Sequence, residues 1–321
     1  MSGPSRKSDL AAKVAWLYFV GNQTQQEIAE ALHVSRPTVQ RLVANAMESG
    51  FVQVRISHST NDCMELAEQL RRRFDLAFCE VAPVSPDIGP DRAQLSLRPV
   101  AVIGAALVER YLARPGLEVL ALGSGRTIKA IVDEIGAADL PRLRILSLAG
   151  VIALDGSFNR YDCGLRMADR TSGKYFLPPV PVIAPSLADK QAWGRHPIHD
   201  AIAKLYERAE AALVGIGTIG PGSPLLEDGF ITERELLELA ELGAAGEILG
   251  WPLDREGKVL ASPLAERVTS LPLPQLATRP VIAFAAGGRK AAAIRAALRG
   301  GWISGLVTDF EAASLILGMG A

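Results

Sequence analysis

Residues 24–50, TQQEIAEALHVSRPTVQRLVANAMESG, hold two short amphipathic helices and a three-residue corner, and the reading of the rest of the chain follows from them. Thr24 and Glu27 form a T-x-x-E capping box, in which hydroxyl and carboxylate satisfy amides that a first helical turn leaves without partners, so a helix starts there. Ile28, Ala29 and Leu32 then fall on one face. The run stops at His33-Val34, with Val34 placed to plug the gap between the helices. Ser35 caps the second helix, and Pro37 stands in its first turn, where a missing N–H costs little.

In the second helix Val39, Leu42, Val43 and Ala46 repeat at helical spacing and face inward, which leaves Arg36, Thr38, Gln40, Arg41 and Asn45 on the outer side. Arg pairs with guanine edges, Gln and Asn with adenine, and Thr with phosphate or a thymine methyl, so this face has the chemistry of a recognition helix for double-stranded DNA. With Gln25 and Ser35 these residues are the candidate DNA contacts. A helical hairpin that only packs would show the same apolar stripe and a solvated polar face. The short corner, and the lack of any acidic residue between Ser35 and Asn45, favour a helix-turn-helix.

A chain of 321 residues suits a small domain followed by a larger one, and the pattern divides it into a helix-turn-helix domain at 1–56, a linker helix at 57–75 and a large domain at 76–321. The 49% hydrophobic and 21% charged residues are those of a soluble globular protein rather than an extended disordered one. A net charge of -1 says nothing in favour of nucleic acid, so specific binding depends on a local patch present in more than one copy. Cys63, Cys79 and Cys163 are odd in number and widely spaced, which indicates neither a disulfide framework nor a zinc site. The longest apolar runs, such as Val100 to Val108, fall short of the roughly 18 residues a membrane span needs. The opening MSGPSRKSDL has no apolar core of a signal peptide, so a cytoplasmic location is expected.

In chain order, Met1 to Ser8 reads as an unstructured lead and Asp9 to Val20 as an apolar helix supporting the capped pair, ended by Gly21-Asn22. Residues 51–58, FVQVRISH, alternate as a strand does, and would be a wing or the exit from the small domain. Asn61 to Phe74 is a charged helix with Leu66 and Leu70 inward. From Leu76 onward short apolar runs alternate with helices, the signature of an α/β domain with a Rossmann-like parallel sheet. The strands expected are 77–81, 118–122, 144–148, 211–216, 281–285 and 305–307. The helices expected are 93–112, 127–135, 199–210, 232–242, 289–298 and 311–317.

Ligands of such sheets sit beyond the carboxyl ends of the strands, where helix amino-termini and loop amides converge. Gly123-Ser124-Gly125-Arg126-Thr127 follows a strand and opens a helix, so its amides and hydroxyls suit a phosphate or a cluster of sugar hydroxyls. It lacks the third glycine of a dinucleotide fingerprint, and no Walker loop is present. Residues 286–290, AGGRK, repeat the arrangement with Gly287, Gly288 and two cations, of which Lys290 joins the candidates. Cations oppose the dipole at that end of a helix and make more sense beside an anion or a hydroxyl-rich ligand. Asp309 caps the last helix or accepts from ligand hydroxyls, and Glu247 in GAAGEILG is a further candidate.

Taken together, QQEIAEALHVSRPTVQRLV, GSGRT, DGSFNRYDCGLRMADRTSGKYFLPPVP, VGIGTIGPGSPLLEDGFITERELLELAELGAAGEILG and AGGRKAAAIRAALRGGWISGLVTD make the chain resemble, nearly end to end, the SorC family of bacterial transcriptional regulators. The resemblance implies a regulator of a carbohydrate-use operon, usually a homotetramer, whose large domain is similar to sugar-phosphate isomerases but binds a sugar, polyol or sugar phosphate without turning it over. It further implies an effector pocket formed by Gly123 to Thr127, Asn159, Asp162, Glu247 and Gly287 to Lys290. Gln40 departs from the Ser of many relatives, which implies a different operator. The rival reading is an active isomerase or deaminase with an accessory helical domain. That chemistry needs a general base and a proton shuttle. His33, His58, His196 and His199 show no pattern converging on the two glycine loops, so no catalytic residue, metal or cofactor is expected.

Overall fold

The computed structural model describes residues 6–52, 61–83, 92–153 and 155–319. The chain divides into two compact units, residues 1–57 and 58–321.

The first unit holds α1 (Arg6–Phe19), α2 (Gln25–Ala31) and α3 (Arg36–Glu48). Residues 6–8 of the expected lead are helical, which corrects that expectation, and residues 1–5 lie outside the described residues. Asn22 and His33, both at positive φ, terminate α1 and α2 by turning the chain out of the helical path. The capping box of α2 is complete: Thr24 N–H donates to Glu27 Oε2 at 2.7 Å, and Glu27 N–H donates to Thr24 Oγ1 at 3.3 Å. Ser35 Oγ accepts from Thr38 N–H at 3.4 Å and starts α3. Ala11, Val14, Ala15, Ile28, Ala29, Val39, Leu42, Val43 and Ala46 form the core, with Leu32 and Val34 packed on its edge. The expected strand at 51–58 falls almost wholly outside the described residues.

The second unit opens with α4 (Asn61–Arg73), then β1 (Phe78–Ala82), α5 (Arg92–Leu112), β2 (Val119–Leu122), α6 (Arg126–Glu134), β3 (Arg144–Ser147), α7 (Gly164–Thr171) and β4 (Lys174–Phe176). It continues through α8 (Leu187–Gly194), α9 (Pro197–Tyr206), β5 (Ala212–Gly215), α10 (Pro224–Glu227), α11 (Glu233–Glu241) and the hairpin of β6 (Gly246–Ile248) and β7 (Trp251–Leu253). It ends with α12 (Leu273–Leu276), β8 (Val281–Phe284), α13 (Ala291–Arg299), β9 (Gly305–Asp309) and α14 (Phe310–Gly318). Seven strands make one parallel sheet in the order β1-β9-β8-β5-β2-β3-β4. Because both faces are covered, the central strands are apolar throughout and alternate between two cores. Val119, Ala121, Val281 and Ala283 face α4, α9, α13 and α14; Leu120, Leu122, Ile282 and Phe284 face α5, α6 and α7.

The six strands expected from sequence are present to within one or two residues. β4 has only three residues, too few to show an alternation, and the hairpin turn Leu249-Gly250 carries none of the Asn-Gly or Asp-Gly signals of such turns although both residues have positive φ. The helix expected at 199–210 instead spans Pro197–Tyr206, capped by His196. The order of strands reverses direction between β2 and β5: the chain leaves β2 for β3 on one side and leaves β5 for β8 on the other. A crevice at this switch point is where an open α/β sheet receives its ligand.

A domain as small as the first unit has little surplus stability. Ile28→Ala removes a fully buried side chain from its core and should cost about 2–5 kcal/mol. Calorimetry of the full chain should then show the first unit melting early, with the main transition of residues 58–321 unmoved. A single transition at the wild-type temperature would contradict the independence of the two cores.

Candidate functional site

On α3, Arg36, Gln40, Arg41 and Asn45 are exposed and Thr38 is half-buried, because the opposite stripe is spent on the core. Ser35 differs from these: its hydroxyl lies 2.9 Å from Thr38 Oγ1 and caps the helix. Gln25 sits half-buried in the first turn of α2. An exposed row of Arg, Gln, Arg and Asn without an acidic neighbour can donate to phosphates and to purine edges.

In the second unit, β2, β5, β8 and β9 deliver their carboxyl ends to the crevice. Gly123 N–H donates to Leu213 O at 2.8 Å, which ties the first glycine loop to β5. Gly125, at φ +130°, precedes α6 without a side-chain cap, and its N–H donates to Tyr161 O at 3.3 Å. The 159–162 segment clamps this loop. Asn159, buried, donates from Nδ2 to Ser124 Oγ at 3.1 Å and accepts Tyr161 N–H at 2.9 Å. The Thr127 hydroxyl is buried and has no hydrogen-bond partner among the described residues.

Across the crevice Asp309 ends β9 and starts α14. One carboxylate oxygen accepts Ala312 N–H at 2.8 Å, and the other accepts Gly287 N–H at 2.5 Å. Of the two readings of Asp309 from sequence, the cap is present, and the second carboxylate oxygen is taken by the Gly287 amide. Residues 288–290 form a 3-10 turn before α13, so the helix expected at Arg289 begins two residues later. Gly288 packs against Glu311 and Leu315, Arg289 is exposed, and Lys290 is half-buried. Burial pushes the Lys290 ammonium down to about 8, against the opposing pull of Glu247 and Asp309.

Glu247 lies in β6, 8% exposed, rather than in a loose turn. Its Oε2 accepts Gly250 N–H at 2.7 Å, and burial raises its pKa above the ordinary carboxylate value while Lys290 lowers it. The carboxylate rests directly on the backbone of Gly217, where a Cβ would come within 1.8 Å of Oε1. A side chain at 217 would push the Glu247 carboxylate off this seat.

Glu227 and Asp228, not among the residues expected from sequence, also stand here. The Arg126 guanidinium pairs with Glu227, lies 4.0 Å from Asp228 Oδ1, and stands 5.2 Å from the centre of the Tyr161 ring. Arg160 approaches the same Asp228 oxygen at 3.7 Å. No local signal marks these two carboxylates, since their partners lie about 70 to 100 residues away in the chain. Loop 123–127, Asn159, Glu247, Lys290 and Asp309 thus share one charged crevice, with Arg126 felt at Lys290 and Asp228 felt at Glu247. Asp162 does not join them by its carboxylate: one oxygen accepts the Tyr175 hydroxyl at 2.5 Å and the other Gly164 N–H at 3.2 Å, so it braces the loop against β4 and α7.

The Lys290 pKa has a consequence for stability. It lies below that of an unfolded lysine, so the fold binds fewer protons than the unfolded chain between pH 8 and 10.5, and stability contributed here rises with pH through that window. Urea denaturation of wild type and Lys290→Met at several pH values should show the difference moving in favour of wild type from pH 8 to 10.5. A difference independent of pH would contradict a buried ammonium.

The Sugar-bind family model, a sugar-binding domain, matches residues 58–318, and the MarR family model matches residues 14–59. The chain is 32% identical over 309 residues to the erythritol catabolism regulatory protein EryD of Brucella abortus, covering 96% of each chain. It is 31% identical over 322 residues to the transcriptional regulator LsrR of Enterobacter sp., covering 98% of this chain and 94% of that one. The full-length sorbitol operon regulator SorC from Klebsiella pneumoniae has a similar structure, with a TM-score of 0.73 and 26% identity over 98% of this chain and all of that one. With a helix-turn-helix unit ahead of a parallel-sheet unit that matches the sugar-binding model over its length, the chain belongs to the SorC-type family of sugar-binding transcriptional regulators.

Proposed function

We propose that this protein controls transcription of a bacterial carbohydrate-utilisation operon, reading operator DNA with α3 and responding to a sugar, polyol or sugar phosphate bound at the switch-point crevice. The observation that carries this reading is the meeting of two glycine loops, Asn159, Glu247 and Lys290 at the strand ends of a chain that also presents an acid-free recognition face. The relatives that match over nearly all of the chain are transcriptional regulators by name, which supports a binding rather than a catalytic role for the crevice. Glu247 and Lys290 are the groups an isomerase would use, but Glu247 is held from behind by Gly217 and the turn amide of Gly250. In this reading they orient ligand hydroxyls. The protein works in the cytoplasm as a homotetramer, so that several recognition helices engage one operator. No helix among the described residues is long and apolar enough to cross a membrane.

Helix α14 gives the crevice a route to the start of the second unit. Its amino end is fixed by Asp309, which also holds the Gly287 amide. Its carboxyl end is held by Arg73 of α4, whose guanidinium donates to Leu317 O and Met319 O at 3.0 Å each. A ligand that moves the 287–290 loop therefore bears on α14 and on α4, the first element after residues 53–60. Regulation needs only a differential affinity of roughly 1–3 kcal/mol between two arrangements.

Fluorescence anisotropy with operator DNA should show Gln40→Ala and Arg41→Ala losing roughly 1–3 kcal/mol at particular base pairs while ligand binding is kept. Unchanged operator affinity would remove α3 from the interface. Arg73→Ala should keep both operator affinity and ligand affinity but shrink the change in one caused by the other; an undiminished response would show that α14 does not carry the coupling.

A further inference from the structure

The crevice contains more than a generic place for a carbohydrate, because its charges are already matched. Four cations, Arg126, Arg160, Arg289 and Lys290, stand with four carboxylates, Glu227, Asp228, Glu247 and Asp309, the Arg289 guanidinium and Glu227 both lying beside Gly222. Arg126, the cation of the GSGRT loop, is engaged by Glu227 and is not waiting for an anion. Two of the loop amides are also spoken for: Gly125 N–H goes to Tyr161 O, and Gly287 N–H goes to the Asp309 carboxylate, which would stand against an anion held there. A phosphate entering here would have to displace Glu227 and bring two negative charges beside Asp309 and Asp228.

What the crevice lacks is the opposite kind of partner. Asp228 is 8% exposed in its side chain, and its Oδ1 is buried without a hydrogen bond, the nearest guanidinium nitrogens being 3.7 and 4.0 Å away. A buried carboxylate oxygen in that position calls for a donor. A ligand hydroxyl donates, whereas a phosphate dianion only accepts. The two elements joined by the Arg126 to Glu227 pair each add a buried hydroxyl with no partner among the described residues, Thr127 at the start of α6 and Ser223 before α10. Hydroxyls both give and take hydrogen bonds, so they suit a polyhydroxylated neighbour.

We propose that the ligand is an uncharged polyhydroxylated molecule, a polyol or free sugar, that Asp228 accepts one of its hydroxyls, and that Glu227 excludes phosphate esters by occupying Arg126. This rests on the carbohydrate reading above and narrows its ligand class.

The test is calorimetric titration of the full-length protein with a panel of tetritols, pentitols, hexitols and free sugars, each paired with its own monophosphate. At least one neutral member should bind saturably and at least about 10-fold more tightly than its phosphate. Asp228→Asn should weaken that neutral ligand by about 10- to 100-fold, the worth of a hydrogen bond to a charged group. Glu227→Gln, isosteric and on an exposed side chain, should narrow or invert the preference for the neutral partner. A phosphate ester that binds wild type more tightly than its neutral parent would overturn this proposal and leave the carbohydrate reading standing. Absence of binding by every member of both series would instead contradict the carbohydrate reading, and this proposal with it.

Discussion

The second unit depends on a carboxylate placed against bare backbone. Glu247 can lie at the floor of the crevice only because Gly217 has no side chain, because the β6–β7 turn turns its Gly250 amide toward it, and because Lys290 stands near enough to oppose its charge. Desolvating a lone carboxylate is costly, and the surrounding donors and cation offset that cost. Each of those partners comes from a different segment: the loop after β5, the hairpin, and the loop after β8. The same few atoms that make the site polar therefore hold three distant stretches of chain in register, and the site is part of what defines the fold around it.

The parallel sheet explains why these segments can meet at all. Strands buried on both faces supply an apolar platform, and the strand order reverses between β2 and β5, the place where open α/β sheets receive their ligands. The short connections from β2 into α6 and from β8 into α13 bring glycine loops to that space with helix amino-termini behind them. One amide in each loop is turned toward a protein acceptor, Gly125 N–H toward Tyr161 O and Gly287 N–H toward Asp309, so part of the potential of those ends is met internally. A pocket balanced in this way discriminates by matching donors to acceptors rather than by net charge.

Much of this was legible in the chain. The capping box of α2, the corner at His33-Val34, the period of α3 and the six longer strands follow from local patterns, because each is decided within a few residues. Ser35 was legible as a cap, and its hydroxyl is spent there, whereas its place among DNA contacts came from the company it keeps. The β4 strand and the β6–β7 hairpin were not legible, since three-residue strands carry no period and a Leu-Gly turn carries no usual turn signal. Nor were Glu227, Asp228 and Gly217. Their roles arise from residues about 30 to 100 positions away in sequence, and nothing local distinguishes a carboxylate that meets Arg126 from one that meets water. Asp162 shows the reverse: it matches a family segment, yet its carboxylate is consumed by Tyr175 and Gly164.

In this reading one ligand at the strand ends draws together the 123–127, 217–228 and 287–290 segments, and the change travels along α14 to α4. Hydrogen–deuterium exchange of the full-length protein, with and without a saturating carbohydrate, reads this most directly. Ligand should slow exchange in those three segments and alter it in residues 310–318 and 61–73. Protection confined to another face, or to the crevice with 310–318 and 61–73 unchanged, would contradict it.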